Sequence, residues 1–83
     1  MNNNSKYVVK NTKTNKYYKR GTLEWGNSPN DAYLFHHYEY TDACEVCTYY
    51  ADTEVVEYWQ ALQDYQVIAY KKFNILHKYE INR

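Results

Sequence analysis

Two cysteines three residues apart, Cys44 and Cys47, have the clearest chemical potential in this chain. A C-x-x-C pair at the start of a helix can take part in thiol–disulfide exchange, because the helix N-terminus favours the thiolate. The surrounding sequence has no strand–helix–strand pattern, and the one proline, Pro29, is too far away to line such a site. Small residues at helical spacing more often belong to a core. We therefore interpret both cysteines as packing residues.

Histidines offer a second possibility, since His36 and His37 could join the two cysteines in a zinc site. Structural zinc sites place their ligands in spaced pairs, and adjacent side chains on a strand point in opposite directions. Only one of the two histidines could bind, so His77 would have to complete the set. We assign no metal ligand, no cofactor and no catalytic residue to this chain.

Carboxylates are concentrated in the middle of the chain, where residues 21 to 64 contain nine of them and no Lys or Arg. Acid–base catalysis by paired carboxylates needs a cleft and perturbed pKa values, and nothing in the spacing indicates a cleft. We expect a non-enzymatic protein with an acidic surface. The two ends of the chain are basic, with six cations and no carboxylate in residues 1 to 20, and the net charge is zero. Charge sorted in this way creates a field that steers partners.

The composition sets the scale of the fold. Eighty-three residues, twelve of them Tyr, predict one small domain whose core is built largely from tyrosine rings. We predict a flexible tail over 1–5 and a single domain over 6–83. No apolar run could cross a membrane, no signal peptide is evident and the cysteines are few, so we expect a cytoplasmic protein.

The first half of the sequence predicts short strands and turns. Two runs with strand propensity flank a polar turn, which favours a β-hairpin over 6–20. A third short strand is predicted over 22–25 and a type I turn over 28–31. The aromatic run 33–40 fits either a strand or a loop that buries Leu34 and Phe35.

A helix is predicted from Asp42, which with Glu45 fits a capping box. Apolar residues then recur at spacings of three and four, at Ala43, Cys47, Ala51, Val55, Tyr58 and Leu62. Glu54 falls inside this stripe, which indicates a kink or a break into two helices near Asp52.

The last segment, 65–81, alternates apolar residues with a period of two and is interpreted as strand. A straight strand of that length would exceed the domain, so a bend or turn is expected at 72–74. The predicted fold class is α+β, with a small antiparallel sheet covered by one long, kinked or broken helix.

The early sequence resembles small accessory proteins of bacteriophages and prophages of low-GC bacteria. The resemblance rests on Tyr7-Val8-Val9-Lys10-Asn11, Tyr17-Tyr18, Trp25 and the Asp-Ala-x-x-Phe stretch of Asp31 to Phe35, and covers roughly residues 6 to 60. The resemblance implies a hairpin, an amphipathic helix and a closing strand. It assigns no functional role to any residue of this chain. It also implies a context, because such proteins often inhibit host machinery, as anti-CRISPR and other anti-defence inhibitors do.

The acidic stretch is interleaved with tyrosines, which suits recognition of a host protein with a basic groove. We predict a partner-binding face that mimics nucleic acid and is centred on Glu45, Tyr49, Asp52 and Glu57. An open alternative is that the basic ends of the chain neutralise this stretch within the same molecule.

Two further hypotheses remain open. The basic hairpin could bind nucleic acid, with phosphates contacted by Lys10, Lys13, Lys16, Lys19 and Arg20 and bases stacked on tyrosine rings. Zero net charge makes this less favoured than a protein partner. Alternatively, an exposed strand edge in 65–81 could pair with a second copy to form a homodimer.

Overall fold

Three strands and two α-helices build the domain, in a computed structural model that describes the backbone of residues 5–81 and the side chains of residues 5–70. The elements are β1 (Lys6–Asn11), β2 (Phe35–His36), α1 (Tyr40–Tyr49), β3 (Thr53–Glu57) and α2 (Tyr58–Ile81). The strands form one antiparallel sheet in the order β2-β1-β3. The predicted α+β class is confirmed. The prediction of one long helix is wrong, because a strand separates two helices.

The central strand β1 contributes a buried side chain to each of two hydrophobic clusters. Successive side chains of a strand point to opposite faces, so the adjacent and fully buried Val8 and Val9 face opposite sides of the sheet. On one side Val8 packs with Tyr17 and with Ala61 of α2. On the other side Val9 packs with Phe35 and Ala43, and Ala43 belongs to α1. The two helices therefore cover opposite faces of the sheet.

Strand β3 replaces the middle of the predicted helix. Its residues Val55 and Val56 lie opposite Val9 and Val8 in the register with β1. Since β-branched side chains pack well on a pleated surface, this run gains more from pairing with the two valines of β1 than from continuing a helix. The phase conflict at Glu54 in the helical pattern marks this break.

Helix α2 corrects the prediction for the last segment. Residues 65–81 are helical, and the helix continues without interruption through the bend expected at 72–74. No Gly or Pro occurs between Tyr58 and Ile81, and apolar residues that alternate by two also recur at the helical spacing of four, as Tyr65, Ala69 and Phe73 do. An isolated strand would also need a neighbour, whereas a helix satisfies its own backbone hydrogen bonds.

The predicted β-hairpin forms its turn but lacks a regular second strand. After β1 the chain turns through Asn15, which has a φ of 60°, and returns past β1. The return pairs only at Tyr17, which bridges Lys10 on one side and Gly26 on the other. The strand predicted over 22–25 is therefore absent from the structure, while the predicted turn over 28–31 appears as a short 3₁₀ helix.

The start of α1 also differs from the prediction. The helix begins at Tyr40, two residues before the expected cap at Asp42. A reciprocal cap forms instead at the short 3₁₀ helix His37–Glu39 that precedes α1, where the Glu39 carboxylate accepts a hydrogen bond from the backbone N–H of His36 at 3.0 Å. Asp42 and Glu45 are consequently left on the exposed side of the helix.

The predicted tail over 1–5 lies outside the described residues except for Ser5. Across 5–81, neither helix has an apolar stretch long enough to span a bilayer.

Candidate interaction surface

One face of α1 presents two carboxylates and a tyrosine to solvent. Asp42, Glu45 and Tyr49 follow one another at spacings of three and four, which places them on the same side of a helix. All three are exposed, and Tyr49 retains 75% of its accessible surface. Ala43, which is fully buried, fixes the opposite side of α1 against the sheet. We call Asp42, Glu45 and Tyr49 the acidic α1 face.

A groove of about 570 Å³ runs beside the acidic α1 face. Besides those three residues it is lined by Tyr18, Arg20, Phe35, Val46 and Tyr50. The ring of Tyr18 lies between its aromatic neighbours, with centroids 6.1 Å from Phe35 and 6.2 Å from Tyr50. The groove therefore has aromatic walls and a carboxylate-bearing rim.

Arg20 is the cation in this groove, and its guanidinium is held by Tyr33. The group lies 5.0 Å from the centroid of the Tyr33 ring and donates a hydrogen bond of 2.8 Å to the Tyr33 hydroxyl. That hydroxyl in turn donates to the Glu39 carboxylate at 3.4 Å. Within residues 5–70, no Lys or Arg forms an ion pair with Asp42 or Glu45. Among these residues, no cation neutralises the acidic α1 face.

Asp52, predicted to belong to the same face, lies instead at the turn between α1 and β3. Its φ of 62° is in the left-handed region, which Asp tolerates better than most residues. Its carboxylate forms an ion pair with Lys13 at 3.4 Å, the only one among residues 5–70. Its carbonyl accepts hydrogen bonds from the backbone N–H and the side-chain hydroxyl of Thr12. Asp52 thus joins two turns of the fold.

Glu57, also predicted to contact a partner, caps α2. Its carboxylate accepts hydrogen bonds from the backbone N–H groups of Trp59 at 3.1 Å and Gln60 at 3.3 Å. These are among the donors that a helix start leaves without an intrahelical acceptor. Of the four predicted contact residues, the structure brings only Glu45 and Tyr49 together.

The cations proposed for nucleic-acid contact do not form one surface. Lys13 is paired with Asp52, Lys10 lies opposite Glu54 in the register of β1 and β3, and Arg20 is held by Tyr33 on the α1 side. Lys16 is exposed and lines a groove at the hairpin turn, and Lys19 is half-buried. Positive charge is therefore spread over several faces of the domain.

Cys44, Cys47, His36 and His37 form no ligand cluster among the described side chains, which do not include that of His77. Cys44 and Cys47 are free thiols, both half-buried on α1. A hydrogen bond with Cys44 is the main cause that raises the pKa of the Tyr40 hydroxyl above its ordinary value. Across the described part of the chain, no three His, Cys, Asp or Glu side chains lie close enough to hold one metal ion.

Part of this surface lies outside the predicted partner-binding face. The capping-box pattern favours Asp42 as a helix cap, although its spacing to Glu45 and Tyr49 already places it on their face. Tyr18 and Tyr50 come to the groove from segments outside α1, and no local pattern could have joined them to it.

Comparisons with protein-family models, with curated proteins and with solved structures found no match to this chain.

Proposed function

We propose that this is a non-enzymatic binding protein whose acidic α1 face docks into a basic groove of a host protein. The observation that carries this proposal is the free state of Asp42 and Glu45, which no Lys or Arg among residues 5–70 neutralises. Two carboxylates one helical turn apart resemble phosphates in charge and can occupy a groove that normally holds nucleic acid.

The energetic roles within this face differ. Exposed carboxylates raise the rate of encounter with a positive groove, and they do so most strongly at low salt. Tyr49 offers a large amphipathic ring at low entropy cost, which is typical of residues that dominate binding energy. The neighbouring groove provides room for a side chain of the partner. We expect Tyr49 to set the dissociation rate and Glu45 to set the association rate.

The sequence resemblance to phage accessory proteins supports a biological context for this activity. In that context the target is a nucleic-acid-binding protein of the host cytoplasm, and the role is anti-defence inhibition of the anti-CRISPR type. An inhibitor of this kind acts stoichiometrically and needs no catalytic group.

A matched pair of charge reversals tests the proposal. Tagged wild-type protein, the Glu45→Lys variant and the Glu24→Lys variant are used to capture proteins from a nuclease-treated lysate of a low-GC bacterium, and captured proteins are quantified by mass spectrometry. Glu24→Lys changes the net charge by the same amount as Glu45→Lys, and Glu24 is exposed on a loop. We expect one host protein to be captured in equal amounts by wild type and Glu24→Lys. Its captured amount should fall at least about tenfold with Glu45→Lys, which corresponds to about 1.4 kcal/mol of binding free energy. Equal capture by all three proteins would refute the acidic α1 face as the binding surface.

A further inference from the structure

Helix α2 carries an exposed face that the domain does not use. Its first turns are anchored by buried Ala61 and half-buried Leu62, while every residue from Gln63 to Tyr70 is exposed. On the side away from Ala61, five residues follow one another at helical spacing, namely Trp59, Gln63, Gln66, Val67 and Tyr70. We call these five residues the outer α2 face.

The composition of the outer α2 face is that of an interface rather than of an ordinary exposed surface. It contains no charged residue, and Trp59, Val67 and Tyr70 are 64%, 51% and 65% exposed. Protein interfaces are enriched in Trp and Tyr and depleted of charge at their centres. Solvated faces of helices, in contrast, normally carry charged side chains.

We propose that the outer α2 face binds a second copy of this chain, with the two helices antiparallel. The face is nearly symmetric in sequence, with an aromatic ring at each end and two glutamines between them. A twofold axis near its middle sets Trp59 of one copy against Tyr70 of the other, and Gln63 against Gln66. An isologous interface requires this kind of self-complementarity.

The symmetry of the face also selects the antiparallel direction. Only an antiparallel pair sets Trp59 of one copy against Tyr70 of the other, whereas a parallel pair would set each residue of the face against the same residue of the second copy.

The area of the face sets the expected strength. An aromatic side chain buries about 150–250 Å² when fully covered, so the exposed parts of this face offer roughly 400 Å² per copy. A total of roughly 800 Å² lies in the range of weak, reversible interfaces. We therefore expect monomers at low micromolar concentration and dimers at hundreds of micromolar.

Sedimentation equilibrium of the full chain tests the proposal. Wild-type protein is expected to rise from its monomer mass of 10.1 kDa toward twice that value between about 5 and 500 µM. The Val67→Glu variant should stay monomeric over the same range, because it places two carboxylates in the centre of the pair. A wild-type mass that remains at the monomer value at 500 µM would overturn the proposal.

A control variant separates the interface from a general effect of added charge. Leu23 is 97% exposed on a loop far along the chain from α2, so Leu23→Glu makes the same kind of change elsewhere. It should dimerise like wild type, and far-UV circular dichroism should show equal helix content in both variants. Loss of dimer in Leu23→Glu, or its persistence in Val67→Glu, would contradict the assignment of the outer α2 face.

Discussion

At the scale of single residues, the four acidic and aromatic residues predicted to bind a partner have three different roles. Glu45 and Tyr49 project from α1 into solvent, Asp52 joins two turns through Lys13 and Thr12, and Glu57 caps α2. The reason is local geometry, because a carboxylate next to a helix start or a turn finds backbone donors and cations within reach. Acidic character in the sequence alone does not distinguish a free carboxylate from an engaged one.

Replacement of Glu57 tests its assignment as a cap. Glu57→Ala removes the acceptor of two backbone N–H groups and should lower the free energy of unfolding by about 1 kcal/mol, as is typical of lost N-caps. Urea denaturation measures this change. Glu54→Ala, at an exposed position of the same strand, should have a much smaller effect, and an equal loss in both variants would argue against capping.

Tyr17 makes stability sensitive to alkaline pH. Burial, followed by the nearby Asp64 and Tyr65, raises the pKa of the Tyr17 hydroxyl above its ordinary value of 10.0. The folded state therefore holds this proton more tightly than the unfolded state, so the contribution to stability is complete below pH 10 and declines as the pH rises through the folded pKa.

The Tyr17→Phe variant cannot undergo this ionisation. We expect its free energy of unfolding to fall less steeply than that of wild type above pH 10, as measured by denaturant unfolding at a series of pH values. Tyr49→Phe, at an exposed site, serves as the control and should follow the wild-type curve. Parallel curves for wild type and Tyr17→Phe would show that Tyr17 is not the responsible group.

At the scale of elements, the sheet decides where helices begin and end. Val55 and Val56 pair with the two buried valines of β1. Because of this pairing, α1 ends before β3, and α2 begins only after Glu57, whose carboxylate caps it. The irregular segment after Tyr17 is fixed in a similar way, because Gly26 and Tyr17 exchange two backbone hydrogen bonds of 2.9 and 2.7 Å. Backbone pairing with a distant residue fixes the chain in both places, and at Val55 and Val56 it outweighs local helix propensity.

Close packing at Gly26 gives a test of this segment. A Cβ atom at this position would lie 2.7 Å from the Cβ of Asp31, so Gly26→Ala should destabilise the fold by about 1–3 kcal/mol. The Asp31→Gly substitution removes that neighbour. In the double variant, thermal unfolding should show a smaller loss than the sum of the two single losses. Strict additivity would indicate that the contact with Asp31 is not the cause.

At the scale of the whole molecule, the charge blocks of the sequence do not become two simple poles. The acidic α1 face forms no ion pair with residues 5–70, and the basic N-terminal block is divided among the hairpin turn, β1 and the groove beside α1. This division disfavours a continuous track for a phosphate backbone, which needs several cations on one surface. It leaves the acidic face as the more coherent electrostatic feature of the described residues.

Nucleic-acid binding is therefore expected to be weak. Labelled single-stranded and double-stranded DNA and RNA should show no shift with the wild-type protein at about 50 mM salt, a concentration at which phosphate contacts are still strong. Binding that weakens steeply with salt and is lost in a Lys13→Gln, Lys16→Gln variant would reverse this conclusion. The Glu24→Gln variant changes a charged residue that lines the same groove as Lys16, and it serves as the control, which should bind nucleic acid like wild type.

The class of fold, the strand at β1, the turn at 28–31 and the helical spacing of Glu45 and Tyr49 were all predictable from local sequence. These features depend on neighbours within a few residues, through backbone preferences and side-chain periodicity. Contacts between distant segments determined the rest, since β3 forms where β1 places two valines opposite Val55 and Val56. The same contacts engage Asp52 and Glu57, while Asp42 and Glu45 have no ion-pair partner among residues 5–70. The distance from a carboxylate to a cation or a helix start is set only when distant segments pack together.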